Sequence, residues 1–247
     1  MCRMLIAVGN VNINKLLDGI ILMASDQNSR HELNKEKGKG SWSHADGWGI
    51  AYRNSADKWV IEKSTMAIYE DPKVDSFRNI KTNIAILHAR KKIGSKTSLP
   101  NTHPFIAEKE GVGSCVFCHN GFIEDEIKYS SKFTPQGKTD SEKLFYSILT
   151  DLKRDDAVQA IQTNFKRYHK LRGTNVILST PHRSFVAVRK NLFPQYYQMQ
   201  IGRTTDQVII SSEVLPTVPG ALWEPIEQGE IVTINHDDLS VTKNRIK

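Results

Sequence analysis

Apolar positions recur along the chain with two periods, and the switches between them divide it into elements. Residues 2–8 (Cys-Arg-Met-Leu-Ile-Ala-Val) form a short apolar run closed by Gly9-Asn10, the pattern of a buried strand. From 13 to 28 the period lengthens, and Leu16, Leu17, Ile20, Ile21 and Ala24 fall on one face of a helix that Asn12 can cap. Residues 30–40 are charged and end in glycines, and they read as an exposed, mobile loop. Strand patterns follow at 50–53 and 59–66, preceded by a tight corner in which Gly47 and Gly49 flank Trp48. Val74, Phe77 and Ile80 suggest a short helix opened by Asp71-Pro72. Residues 83–87 read as a strand that delivers His88-Ala89-Arg90, and 113–118 as another that delivers His119-Asn120-Gly121.

Thr139-Asp140-Ser141-Glu142 is a capping box, and Leu144, Phe145, Ile148, Leu149 and Leu152 continue it as one helix face. A second helix covers about 156–171. From Thr174 onward every pattern is a strand: 175–179, 184–189, 195–201, 207–211, 230–234 and 239–242. Strands on both flanks of central helices predict an α+β fold of layered antiparallel sheets. The 247 residues suit a single domain with a core of two or more layers.

Composition narrows the class. Hydrophobic content of 39% and charged content of 25% are those of a soluble globular protein. No apolar run approaches the roughly 20 residues of a membrane helix, and residues 4–8 are too short for a signal-peptide core. A cytoplasmic protein that does not engage membranes is expected. The net charge of +7 comes from dispersed Lys and Arg with acids between them. No aromatic-rich strand accompanies them, so no nucleic-acid partner is expected. Cys115-x-x-Cys118 with His119 beside it is half a zinc site without a second pair, and its strand pattern predicts buried thiols and no metal.

The candidate chemistry starts at Met1-Cys2. Loss of the initiator Met leaves a thiol and a free α-amine on one residue, a nucleophile with its own base. Cleavage of a γ-carboxamide also needs an oxyanion hole and a clamp for the amino-acid end of the substrate. Asn120-Gly121 offers a side-chain amide beside a backbone N–H, although Asn-Gly after a strand is by itself commonly a hairpin turn. Arg90 suits an α-carboxylate. Asp140 suits an α-ammonium, while an acid in a first helical turn also stabilises the dipole with no other role.

Taken together these motifs resemble the class II glutamine amidotransferases of the N-terminal-nucleophile hydrolase superfamily, in their free-standing form. Met1-Cys2 resembles the family's processed start, and residues 44–49 (His-Ala-Asp-Gly-Trp-Gly) its Arg-Gly-x-Asp-x-x-Gly corner. His88-Ala89-Arg90 resembles the strand end whose Arg binds the glutamine carboxylate, and Asn101-Thr102-His103-Pro104 its Asn-x-His-Pro. His119-Asn120-Gly121 resembles the oxyanion-hole motif, and Thr139 to Glu142 the segment whose Asp binds the substrate amine. Residues 210–213 and 229–232 match later sheet landmarks.

The resemblance implies a four-layer αββα sandwich with two antiparallel sheets between helical layers, spanning 1–247 as one glutaminase-type domain without a synthase domain. It implies a γ-glutamyl amide hydrolase with Cys2, Asn120 and Gly121 catalytic and Arg90, Asp140, His88 and His103 at the substrate. No cofactor is implied, and an ammonia-accepting synthase is a candidate partner. Lys91 to Ser95 replaces the Trp-Ala-Thr-His-Gly of many members in a loop that borders the substrate. A larger γ-glutamyl compound therefore stands beside glutamine as substrate. A non-catalytic glutamine-binding or regulatory protein of this fold is the alternative, and retention of Met1 would favour it.

Overall fold

The computed structural model describes residues 1–153 and 156–246. In chain order the elements are β1 (Cys2–Asn12), α1 (Ile13–Ala24), β2 (Trp48–Arg53), β3 (Trp59–Ser64), β4 (Lys81–Arg90), β5 (Phe105–Lys109) and β6 (Gly113–Ile123). They continue with α2 (Asp140–Asp151), α3 (Ala157–Arg167), β7 (Leu171–Ser179), β8 (Arg183–Val188), β9 (Met199–Arg203), β10 (Gln207–Ser211), β11 (Leu222–Ile226), β12 (Glu230–Asn235) and β13 (Val241–Arg245). One sheet has the order β11-β9-β10-β1-β4-β2-β3, the other β13-β12-β8-β7-β6-β5, and neighbours pair antiparallel.

Strand alternation sorts the apolar residues into layers. Leu5, Ala7, Ile50 and Leu87 face outward and meet Leu16, Leu17 and Ile20 of α1. Met4, Ile6, Val8, Ile84 and Ile86 face the other way, onto Val116, Ile177 and Val186 of the second sheet. That sheet's outer face carries Phe117, Val176 and Leu178 against Phe145, Ile148 and Ile161 of α2 and α3. The result is the expected four-layer αββα sandwich. From Cys2 to Val8 β1 is buried on both faces, which explains why only Arg3 interrupts its apolar run. No described helix is long and apolar enough to cross a membrane.

Several local expectations shift. β6 does not stop at Cys118 but runs to Ile123, so Asn120 and Gly121 lie inside a ladder, opposite Asn175 and Thr174, not in a hairpin turn. β5 and the edge strand β11 were not foreseen. β11 carries Pro225, which an edge tolerates. The strand expected at 195–201 begins only at Met199, because the Glu32 carboxylate accepts from the N–H groups of Gln195 and Tyr196 at 2.8 and 2.9 Å and holds them in a turn.

The loop at 30–40 also differs from the expectation, since its core is not exposed: His31 and Asn34 are buried. Asp26, in the left-handed region at φ 59°, accepts from Asn34 Nδ2 at 2.7 Å and from the Trp42 N–H at 3.0 Å. Burial here is driven by hydrogen bonding and leaves no apolar period to read.

The corner around Trp48 is structural, as expected. The indole is fully buried, donates to Asp71 Oδ2 at 2.9 Å and meets the Phe77 ring edge-on at 5.8 Å. A Cβ at Gly49 would come within 2.2 Å of the His103 carbonyl oxygen, so the backbone of the next segment sits where a side chain would be. Trp48→Ala should cost about 3–5 kcal/mol through the cavity and the orphaned Asp71, read as a lowered urea midpoint. A loss below about 1 kcal/mol would show that this corner is not part of the packed core.

Candidate active site

Alternation also decides which polar residues meet. On β1, Cys2 shares the parity of Met4, Ile6 and Val8 and so faces the second sheet. On β4, His88 and Arg90 share the parity of Ile84 and Ile86, and on β6, Asn120 shares that of Val116 and Cys118. Cys2 pairs directly with Arg90 across the ladder. From the other sheet Asn120 Oδ1 accepts a hydrogen bond from the Cys2 main-chain N–H at 2.7 Å. Cys2, Arg90 and Asn120 are all buried at this end of the sandwich.

A second network seats Cys2 from below. Arg3 points to the opposite face of β1, where it pairs with Glu213 at 2.8 Å, donates to the Tyr196 carbonyl at 2.9 Å and lies over the Tyr196 ring at 4.2 Å. The Tyr196 hydroxyl donates to the Cys2 carbonyl at 3.2 Å and therefore accepts from His44 Nε2, 3.0 Å away. Burial and the nearby Arg3 charge hold His44 well below the usual imidazole range, that is, neutral. Nothing in the sequence pattern assigned a role to Arg3 or Tyr196, and Glu213 stood out only as part of a sheet landmark. Only the fold brings 3, 196 and 213 together.

Cys2, Arg90, Gly121 and Asp140 line one pocket, with Met1 in it. Arg90 Nη2 donates to Ser95 Oγ at 2.7 Å, and Nη1 to the Asp46 carbonyl at 3.3 Å. Asp46 in turn binds the Lys92 N–H at 3.1 Å and its ammonium at 3.0 Å, so residues 91–97 fold back over Arg90. Asp140 opens α2, where Thr139 Oγ1 accepts from the Glu142 N–H at 3.2 Å. Glu142 does not complete the capping box. Its carboxylate accepts from the N–H groups of Gln136 and Gly137, each at 2.8 Å, and anchors the preceding loop. Burial raises the Asp140 pKa, opposed by the Ile123 N–H at 2.8 Å. The Met1 ammonium donates to the Lys91 carbonyl at 2.7 Å, while the Lys91 N–H donates back to the Met1 carbonyl at 3.0 Å. Burial lowers the pKa of that ammonium, although Cys2 and Asp140 pull it up.

Gly121 has no space for a side chain: a Cβ would lie 2.1 Å from the Gly173 carbonyl oxygen and 2.5 Å from His119 Nε2. His103 reaches the pocket lining, whereas His88 is set one layer back, stacked on His103 at 4.1 Å. His119 Nδ1 lies 2.9 Å from Ser141 Oγ. Cys115 and Cys118 turn to opposite faces of β6, so the two thiols do not converge on one ion. Burial pushes the Cys115 thiol up to about 12 and Cys118 well above its ordinary value. Among the described residues no group of three His, Cys, Asp or Glu is arranged to hold a metal.

Comparison with known proteins places this geometry in context. Residues 31–175 match the family described as glutamine amidotransferases class-II. An uncharacterized protein of Methanocaldococcus jannaschii is 33% identical over 118 residues, 46% of this chain and 32% of that protein. The allosteric regulatory enzyme of purine biosynthesis superposes over 100% of this chain and 49% of its own, with a TM-score of 0.72 at 18% identity. A glutamine aminotransferase class-II domain protein from Silicibacter pomeroyi superposes over 99% of both chains, with a TM-score of 0.65 at 16% identity. The two superpositions show a shared fold. The chain spans about half of the purine-biosynthesis enzyme, and the matched stretch about a third of the archaeal protein.

Burial holds His88 and His119 at about 3, below the unfolded value near 6.5. The denatured chain therefore takes up protons that the folded chain refuses as pH falls from about 6.5 toward about 3. Stability is fully present above that window and is lost on acidification, at up to about 1.4 kcal/mol per pH unit for each such histidine. Urea unfolding at pH 7, 6 and 5 should show this slope, and His88→Gln should flatten it. An unchanged slope in that variant would mean that His88 is not held neutral.

Proposed function

The chain belongs to the class-II glutamine amidotransferases, and from that premise we propose that it cleaves the γ-amide of glutamine, or of another γ-glutamyl amide, through Cys2. The observation that carries this reading is the 2.7 Å bond from the Cys2 main-chain nitrogen to Asn120 Oδ1. Once Met1 is removed that nitrogen is the α-amine. An amide that holds it through Oδ1 keeps the Nδ2 end for a developing oxyanion, beside the Gly121 N–H.

In this mechanism Sγ attacks the γ-carbonyl carbon and its proton passes to the α-amine. The C–N bond then breaks, the amine protonates the departing ammonia or amine, and water hydrolyses the γ-glutamyl thioester. Arg90 takes the substrate α-carboxylate and Asp140 the α-ammonium. The half-buried Asp140 already feels the N-terminal ammonium and Arg90, and the substrate ammonium would add a direct partner. The leaving nitrogen is released in the form that a partner synthase accepts. With Met1 in place the pocket keeps only about 20 Å³, too little for an amino acid, so the chain that retains Met1 is blocked.

A glutamine analogue carrying a diazoketone should alkylate Cys2 in protein freed of Met1, and neither Cys115 nor Cys118, whose thiols burial keeps protonated. Peptide mapping reads the position, and protection by glutamine against larger γ-glutamyl amides ranks the substrates. Absence of labelling in Met1-free protein would favour a binding or regulatory role instead. Steady-state kinetics separate the other residues. Arg90→Lys should raise KM because a point charge replaces a two-pronged donor, and Asn120→Ala should lower kcat by about 10²-fold. Equal, small effects from both would mean that Arg90 does not clamp the carboxylate and Asn120 does not stabilise the oxyanion.

A further inference from the structure

We propose that His103 and His119 form the binding site for the water that hydrolyses the acyl-Cys2 intermediate, a positioning role that rests on Cys2 being the nucleophile. Both imidazoles line the same pocket as Cys2, and both are more than nine-tenths buried. His103 Nδ1, His103 Nε2 and His119 Nε2 have no protein hydrogen-bond partner. A buried polar atom left unpaired costs roughly 1–3 kcal/mol, and interior waters normally settle such atoms. The ring nitrogens of His88 are also unpaired, but that ring is outside the pocket lining, while at His236 Ser184 Oγ lies 2.8 Å from one ring nitrogen and the Pro181 carbonyl 3.1 Å from the other.

The two rings border the pocket that Cys2 also lines. His119 Nδ1 is occupied by Ser141 Oγ at 2.9 Å, which leaves Nε2 against Gly121, the glycine assigned to the oxyanion corner. The His103 ring is clamped between His88 at 4.1 Å and Phe105 at 4.5 Å, so its orientation is fixed by packing. The pocket keeps about 20 Å³ even with Met1 present, enough for one water but not for a second amino acid.

Burial and neighbouring positive charge hold both imidazoles well below the usual range. They orient the water by hydrogen bonds and are not the base. In the step itself the water oxygen bonds to the thioester carbonyl carbon and the C–S bond breaks. One water proton passes to the Cys2 α-amine and from there to the departing thiolate. Atoms and charge balance without a further reactant.

The test is the fate of the acyl group when water and hydroxylamine compete for it. Met1-free protein is supplied with the γ-glutamyl amide that best protects Cys2, with hydroxylamine present. The ratio of γ-glutamyl hydroxamate to glutamate is counted per mole of Cys2 that the diazoketone analogue alkylates. Hydroxylamine is the stronger nucleophile and depends less on being held. His103→Leu should raise the ratio by about tenfold and let the acyl adduct accumulate in intact-mass spectra. His103→Asn, which restores a polar group able to hold water, should return the ratio toward that of the unaltered protein. Because the ratio is internal to each acylated molecule, partial misfolding does not move it. An unchanged ratio in variants whose Cys2 is still alkylated overturns the water site alone. Failure of the unaltered protein to acylate Cys2 overturns the acyl-enzyme reading and this inference with it.

Discussion

The hydrogen bond from the Cys2 nitrogen to Asn120 Oδ1 joins the two sheets at one end of the sandwich, and the candidate site depends on the alignment it records. One such bond contributes about 1 kcal/mol and cannot by itself fix two sheets. The interdigitated layer of Met4, Ile6, Val8, Ile86, Val116, Cys118 and Ile177 does that. Those side chains set the spacing and register of β1 against β6, and the polar pair at the end follows. A change deep in that layer is thus expected to reach Cys2 through displacement, without touching it.

Several polar groups of the site are buried, and the protein handles them in two ways. Arg3 is paired with Glu213, while Arg90 is held by Ser95 Oγ and the Asp46 carbonyl. Imidazoles are instead kept neutral by desolvation, as for His88 and His119 at about 3.

The segment at 30–40 shows how support reaches Cys2 from a distance in sequence. Asp26 folds the loop, Glu32 fixes the N–H groups of Gln195 and Tyr196, and Tyr196 then contacts the Cys2 carbonyl and carries Arg3 on its ring. Three links connect a surface turn to the first strand.

The sequence by itself determined the layers and named the candidate residues. β1, β4, β6 and α1 were legible because burial on one or both faces imposes a period on apolar residues; the motif at 88–90 stands at the end of β4 and that at 139–142 at the start of α2, whereas 119–121 lies inside β6. Asn12, Asp71 and Thr139 were legible as caps because that chemistry is local. Tertiary structure decided the rest. Asn120-Gly121 is a strand interior only because β7 pairs with it; its local sequence is that of a turn. The buried loop at 30–40, the Tyr196 support and the free nitrogens of His103 and His119 depend on neighbours from a few to almost two hundred residues away. Hydrogen bonds of that kind leave no periodic trace in a sequence, since their geometry exists only after the sheets have packed.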